Sequence, residues 1–241
     1  MFWLPPLIVA PFAGSVAGVM IRRLPAHRPV GLARSSCDHC NAPLAARDLI
    51  PLVSFAVLRG RCRRCGAPIA REHLAVELAA IAIALWAISA TNSQPDLWAA
   101  CALGWTLLTL AWIDAKHLIL PDVLTLPLIV AGLCFTWWLT PAALASHALG
   151  AIAGYLSFRA IALIYRTLRG REGLGAGDAK LLAAAGAWVG LAALPDLITA
   201  AALLGLAIAI AARTTTKWPP ASAIPFGPAL ALATFVSRLY R

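Results

Sequence analysis

Residues 196–212 read DLITAAALLGLAIAIAA, an apolar run with one acid at its front and no charge after it. A helix over this stretch rises about 25 Å, close to the roughly 30 Å hydrocarbon core of a bilayer. A helix on the surface of a soluble domain would carry a polar face, and this one has none. Working outward, similar runs recur at about 2–21, 74–90, 97–113, 123–139, 143–164, 179–193 and 222–238. The chain is 61% hydrophobic and 12% charged, with a mean hydropathy of +0.81, whereas soluble domains carry about a quarter charged residues. The expected fold class is an all-α polytopic membrane protein with about eight transmembrane helices.

Turns between the runs are marked by Pro95, Pro121, Pro141, Pro195, Pro219 and Pro220. The 179–193 run is short for a span, and its Gly186 and Gly190 have a spacing that permits close helix contact. Residues 22–73 hold ten of the twenty basic residues, which marks that region as cytoplasmic. Alternation then puts Lys116, the cluster Arg166, Arg169 and Arg171, and the pair Arg213 and Lys217 on the same side. Only Arg238 and Arg241 fall on the other side, so both chain ends are expected outside. The first run has no basic residue before it and Arg22 and Arg23 after it, the reverse of a cleaved signal peptide. The net charge of +10 is thus explained by topology. The expected partner is the lipid bilayer, with no nucleic acid.

Within 22–73, Cys37, Cys40, Cys62 and Cys65 form two Cys-x-x-Cys pairs. Two such pairs supply the four thiolates of a tetrahedral zinc site. The alternative is a pair of disulfides, which a reducing cytoplasm disfavours. A four-thiolate site leaves no position open for water, so the zinc is expected to be structural. It would stabilise a segment too small and polar to build its own core. Cys101 and Cys134 lie in apolar runs and read as buried hydrophobes.

Catalysis is therefore sought among the acids of the apolar part, where each is costly. Glu77 lies early in the second run. Asp96, Asp122 and Asp196 each precede a helix and have an N-cap explanation. Asp114 ends the run Leu107 to Ile113, where a carboxylate meets the negative end of the helix dipole. Asp178 closes Gly173-Leu174-Gly175-Ala176-Gly177 and opens the next run. A glycine-rich turn into a helix can also cradle phosphate, but no strand precedes it and no Walker lysine pattern is complete. Both aspartates fall at cytoplasmic ends of their spans. Two such carboxylates sharing a proton can activate water against a carbonyl. The helix ends suggest Asp178 ionised and Asp114 neutral. A proton-coupled transporter using the same acids, and a zinc-stabilised scaffold without chemistry, are the competing readings.

These residues resemble the bacterial prepilin peptidases, also called type IV leader peptidases, of the GxGD class of membrane aspartyl proteases. The resemblance rests on Gly14-Ser15, Ile21-Arg22-Arg23-Leu24-Pro25, Arg34-Ser35-Ser36-Cys37, Asp48-Leu49-Ile50-Pro51-Leu52 and Arg59-Gly60-Arg61-Cys62. Ile113-Asp114 with Leu120-Pro121-Asp122 is similar to the segment of the first catalytic aspartate. Gly175-Ala176-Gly177-Asp178-Ala179-Lys180-Leu181 is similar to that of the second, and Ile224-Pro225-Phe226-Gly227-Pro228 resembles a C-terminal family motif. Asp38, Gly18 and Glu72 depart from the family pattern, where proline, asparagine and arginine are usual.

The resemblance implies a membrane aspartic endopeptidase of the bacterial inner membrane, with its active site and zinc loop facing the cytoplasm. It would cut basic leaders from prepilins or type II secretion pseudopilins, with Asp114 and Asp178 as its catalytic pair. It also implies N-methylation of the new N-terminus with S-adenosylmethionine, although a peptidase without that second activity stays open. The expected organisation is a first transmembrane helix at 1–21, a cytoplasmic zinc region at 22–73 and a membrane-embedded peptidase core at 74–241.

Overall fold

The computed structural model describes residues 3–31, 35–37, 39–170, 173–215 and 224–240. Arg34, Asp38, Arg171, Lys217, Pro219, Pro220 and Arg241, named above, lie outside the described residues. Every apolar run has become a helix. In chain order these are α1 (Leu4–Arg23), the short α2 (Val53–Val57), α3 (Arg71–Ala90), α4 (Gln94–His117), α5 (Asp122–Leu139), α6 (Leu144–Arg169), α7 (Ala176–Val189), α8 (Leu194–Thr215) and α9 (Gly227–Leu239). Six of the described helices are long and apolar enough to cross a membrane. This is a multi-pass membrane protein.

Two of the eight expected spans are shorter than the rest. α7 has 14 residues and α9 has 13, which is about 20 Å each. Gly190 at φ +80° stops α7, and Phe226 and Pro228 set the start of α9. α7 survives in an apolar setting because protein encloses it: every residue from Leu181 to Trp188 is buried.

The chain forms two compact units, residues 1–109 and 110–241. In the first, α1 packs on α3. A Cβ at Gly14 would come 2.6 Å from the Glu77 Cα, so glycine there lets the two backbones approach. Trp105 Nε1 donates to the Ala80 carbonyl at 3.0 Å and ties α4 to α3. Ser93 caps α4, accepting from the Asp96 N–H and donating to Asp96 Oδ2 at 2.6 Å. Asp96 is thus the partner of the cap, three residues in, and the expected N-cap role belongs to Ser93. Asp196 likewise lies inside the first turn of α8, where its charge suits the dipole.

In the second unit, α7 packs against α5, α6 and α9. Gly150 of α6 and Gly186 of α7 meet backbone to backbone: a Cβ at Gly150 would stand 2.8 Å from the Gly186 carbonyl oxygen. A Cβ at Gly154 would come 2.7 Å from the Leu182 carbonyl oxygen. Of the expected glycine pair, Gly186 makes the helix contact and Gly190 ends the helix. On the α5 side, Trp188 Nε1 donates to the Leu128 carbonyl at 2.9 Å and its ring stacks on Phe135.

Candidate functional site

Asp114 sits in the last turn of α4, which runs on to His117 before Leu118, at φ +56°, turns the chain sharply. The carboxylate is 5% exposed. Its Oδ2 accepts the Gly227 N–H at 2.8 Å, from the start of α9. That donor offsets what the helix C-terminus alone withholds from a carboxylate. A Cβ at position 227 would fall 2.6 Å from the same oxygen, so only glycine brings its backbone this close.

Asp178 is the third residue of α7, whose N-cap is Gly175. Asp178 Oδ2 packs against Gly175, where a Cβ would come within 3.1 Å, and the Gly175 backbone N–H acts on the carboxylate. Its Oδ1 is buried and has no hydrogen-bond partner in the protein among the described residues. A buried, unpaired acceptor calls for a functional explanation. Asp114 is held by the start of α9, and α9 packs on α7, the helix that carries Asp178. The two carboxylates singled out from the sequence therefore lie on adjoining elements of the second unit.

Asp122 departs from its expected role. It is the first residue of α5, after Pro121, and its side chain makes no cap. Instead both its oxygens accept from Lys180 Nζ, at 2.6 and 2.7 Å. The pair spans from α5 to the turn of α7 that carries Asp178. Beside it, the buried Leu120 lies against Gly177, where a Cβ would come 2.8 Å from the Leu120 Cβ. The glycine-rich segment thus lets the loop before α5 press directly on the start of α7.

The four cysteines meet in the first unit, with all sulfurs within 4.8 Å of one another. Cys37 and Cys65 Sγ are 3.8 Å apart, and all four are free thiols. A tetrahedron with Zn–S bonds of about 2.3 Å has edges of about 3.8 Å, so the cluster fits such an ion. The backbone amides of Cys65 and Arg64 hold the Cys62 thiol down to about 6. Against the pull of the Ala67 amide, burial and the neighbouring thiols push Cys65 up to about 11. Four thiols this close do not all ionise unless a cation joins them.

The two halves of the cluster repeat each other. Cys37-x-x-Cys40-Asn41-Ala42-Pro43 and Cys62-x-x-Cys65-Gly66-Ala67-Pro68 share one pattern. The Cys37 and Cys62 amides donate to the Ala42 and Ala67 carbonyls, and the Asn41 and Gly66 amides return to the Cys37 and Cys62 carbonyls. Asn41 and Gly66 both have positive φ, +53° and +69°. The duplicated pattern was visible in the sequence as a signal that these are matching metal-binding turns.

Sequence reasoning did not reach three contacts: Gly227 on Asp114, Lys180 on Asp122, and Glu77 Oε2 accepting the Leu52 N–H at 2.8 Å. Gly18 and Glu72, two departures from the family pattern, line one cleft together with Ile21, Arg22, His73 and Val76.

Comparison with known proteins accounts for both parts of the chain. Residues 101–210, which include Asp114 and Asp178, match the type IV leader peptidase family. Residues 8–91, which include the four cysteines, match the bacterial peptidase A24 N-terminal domain. A prepilin leader peptidase/N-methyltransferase of Burkholderia pseudomallei is 43% identical over 86% of this chain and 67% of its own length. Relatives with the same name from Aeromonas hydrophila and Dickeya chrysanthemi are 40% and 42% identical, over 86% and 87% of this chain and 71% and 76% of theirs. No solved structure matches. With a peptidase-family match around its paired aspartates and such identity along most of its length, this chain belongs to the type IV leader peptidase family.

Proposed function

We propose that the chain is a prepilin peptidase in which Asp114 and Asp178 activate a water against the scissile peptide bond. The observation that carries this reading is a pair of acids on adjoining elements of a membrane protein, one buried and one with a buried unpaired oxygen. The water gives its proton to Asp178 Oδ1, and its oxygen bonds to the carbonyl carbon. Asp114, held at Oδ2 by Gly227, gives a proton to the carbonyl oxygen, forming a tetrahedral diol. As the diol collapses, Asp114 regains its proton and the C–N bond breaks. The proton on Asp178 leaves with the new amine. This division keeps Asp178 as the base.

The substrates proposed are prepilins or pseudopilins with short basic leaders, cut at the cytoplasmic face of the inner membrane. The concentration of arginines in residues 22–73 supports that orientation. Cys37, Cys40, Cys62 and Cys65 would hold one structural zinc ion.

The relatives' name supports methylation of the new N-terminus as a second activity. S-adenosylmethionine would supply the electrophilic methyl group. The cleft at Gly18 and Glu72 has no enclosed room even for a water molecule, whereas ligand pockets enclose roughly 300–1,000 Å³. It does not enclose such a donor.

The test is cleavage of a purified prepilin by Asp114→Asn and Asp178→Asn variants in detergent. Each is expected to lose at least about 10³-fold in rate while melting like the wild type. Near wild-type cleavage by Asp178→Asn would remove the two-aspartate mechanism.

A further inference from the structure

Glu77 is buried and has no part in the chemistry above. It lies six residues inside α3, which begins at Arg71, and so about 9 Å along the helix axis. Its bond to the Leu52 N–H holds a loop backbone at that depth, beside a membrane-spanning helix. Leu52 has φ +61°, a conformation rare for a residue with a side chain, so the bend into α2 is enforced. The polar layer on each side of the hydrocarbon core is about 5–8 Å thick. Leu52, and α2 after it, therefore start near the boundary between headgroups and acyl chains.

The surface of this segment suits that location. Leu49, Ile50, Val53 and Val57 are 43, 44, 55 and 69% exposed, large apolar side chains that the protein leaves partly open. Val53 and Val57 lie one turn apart on one face of α2. Phe55 folds the other way, against Gly60, where a Cβ would meet its ring at 2.9 Å. The exposed Arg47, Arg59, Arg61, Arg63 and Arg64 flank the patch. Asp48, the sole acid between residues 46 and 64, is neutralised by Arg63 at 2.8 Å.

We propose that the segment from Ala46 to Val57 docks into an anionic lipid surface, the one from which α1 and α3 emerge. Leu49, Ile50, Val53 and Val57 enter the acyl boundary, and the flanking arginines meet lipid phosphates. An apolar face with a basic surround is the composition of an interfacial segment. The occupant is lipid because the segment is tethered between two spanning helices, so a bilayer surface is in reach of every molecule. Glu77 is the latch that fixes its depth. The proposal needs only the membrane-spanning helices and stands apart from the peptidase assignment.

The test uses the full chain with benzoylphenylalanine at Val53, Val57 or His39, the last exposed on the first cysteine turn. Each protein is placed in vesicles of phosphatidylethanolamine and phosphatidylglycerol, irradiated, and analysed by mass spectrometry. Thermal melting like the wild type shows that each variant is folded. Lipid adducts at 53 and 57 are expected to exceed those at 39 by about fivefold or more, and to fall by a similar factor when phosphatidylcholine replaces phosphatidylglycerol. Equal lipid labelling at all three positions, or adducts to protein in place of lipid, would overturn docking. Labelling unchanged by the loss of anionic lipid would overturn the part given to the arginines. In a second measurement, Glu77→Ala should reduce lipid labelling at Val57, and unchanged labelling would remove Glu77 as the latch.

Discussion

The Gly227 backbone reaches Asp114 more closely than any residue with a side chain could. Its N–H donates to Asp114 Oδ2 at 2.8 Å, and a Cβ there would sit 2.6 Å from that oxygen. Gly227→Ala is therefore expected to push the carboxylate off its donor. A displacement of about 1 Å in a catalytic group costs on the order of 100-fold in rate. Loss of this size in kcat, with KM for the prepilin little changed, would support the role. A wild-type kcat would show that Asp114 needs no such donor.

Lys180 joins the start of α7 to the start of α5 through Asp122, and both side chains are partly exposed. An exposed pair contributes roughly 0.2–1 kcal/mol to stability, so Lys180→Ala should barely move the melting temperature. Cleavage should fall more, by about tenfold, because the pair holds the segment carrying Asp178. The exchanged double variant Asp122→Lys with Lys180→Asp is expected to recover most of that loss. A double variant no better than either single one would reduce the pair to a surface contact.

The thiol cluster gives a prediction that separates the two activities. Cys62→Ser should bind less than one zinc ion per chain by elemental analysis, against one for the wild type. The 22–73 region is the largest polar segment, and we propose that it helps to form the methyl-donor site. Mass spectrometry of pilin processed in cells carrying Cys62→Ser should then show cleaved but poorly methylated product. Equal loss of both activities would make the cluster general scaffolding. Unmethylated pilin from the wild type would show that the second activity is absent.

Close helix packing predicts where bulk is forbidden. Gly186→Val would drive a side chain into the Gly150 backbone, which has no rotamer to yield. Overpacking costs typically 1–3 kcal/mol, and this contact should reach at least the upper end. Ala202→Val, exposed on α8, should change stability by no more than about 0.5 kcal/mol. Similar melting of both variants in detergent would contradict the described contact.

Hydrophobic length made the helices legible from residues alone, because a bilayer selects for it directly. Their ends were less so: α4 runs past Ile113 to His117 because polar residues continue a helix at little cost. Asp114 and Asp178 stood out because acids in apolar runs are expensive. Their support did not. The group on Asp114 is a backbone N–H from 113 residues away, and a backbone amide carries no residue-type signal. Asp122 was misread because a carboxylate at a helix start has two good uses, and only the fold brings Lys180 within reach. Glu77 was noticed for its position, while its partner at Leu52 is again a backbone group.

α7 consists largely of alanine and glycine, and its middle is covered on all sides by protein. A segment of that kind gives the insertion machinery little to recognise, since leucine, isoleucine, phenylalanine and valine are what favour entry. It has to be accepted by neighbours already in the membrane, and one of these, α9, is synthesised after it. The same helix brings Gly227 to Asp114. On the proposed mechanism the site is therefore assembled only after α9 has emerged from the ribosome, and nascent chains stalled before that point would stay inert toward other proteins at the same membrane.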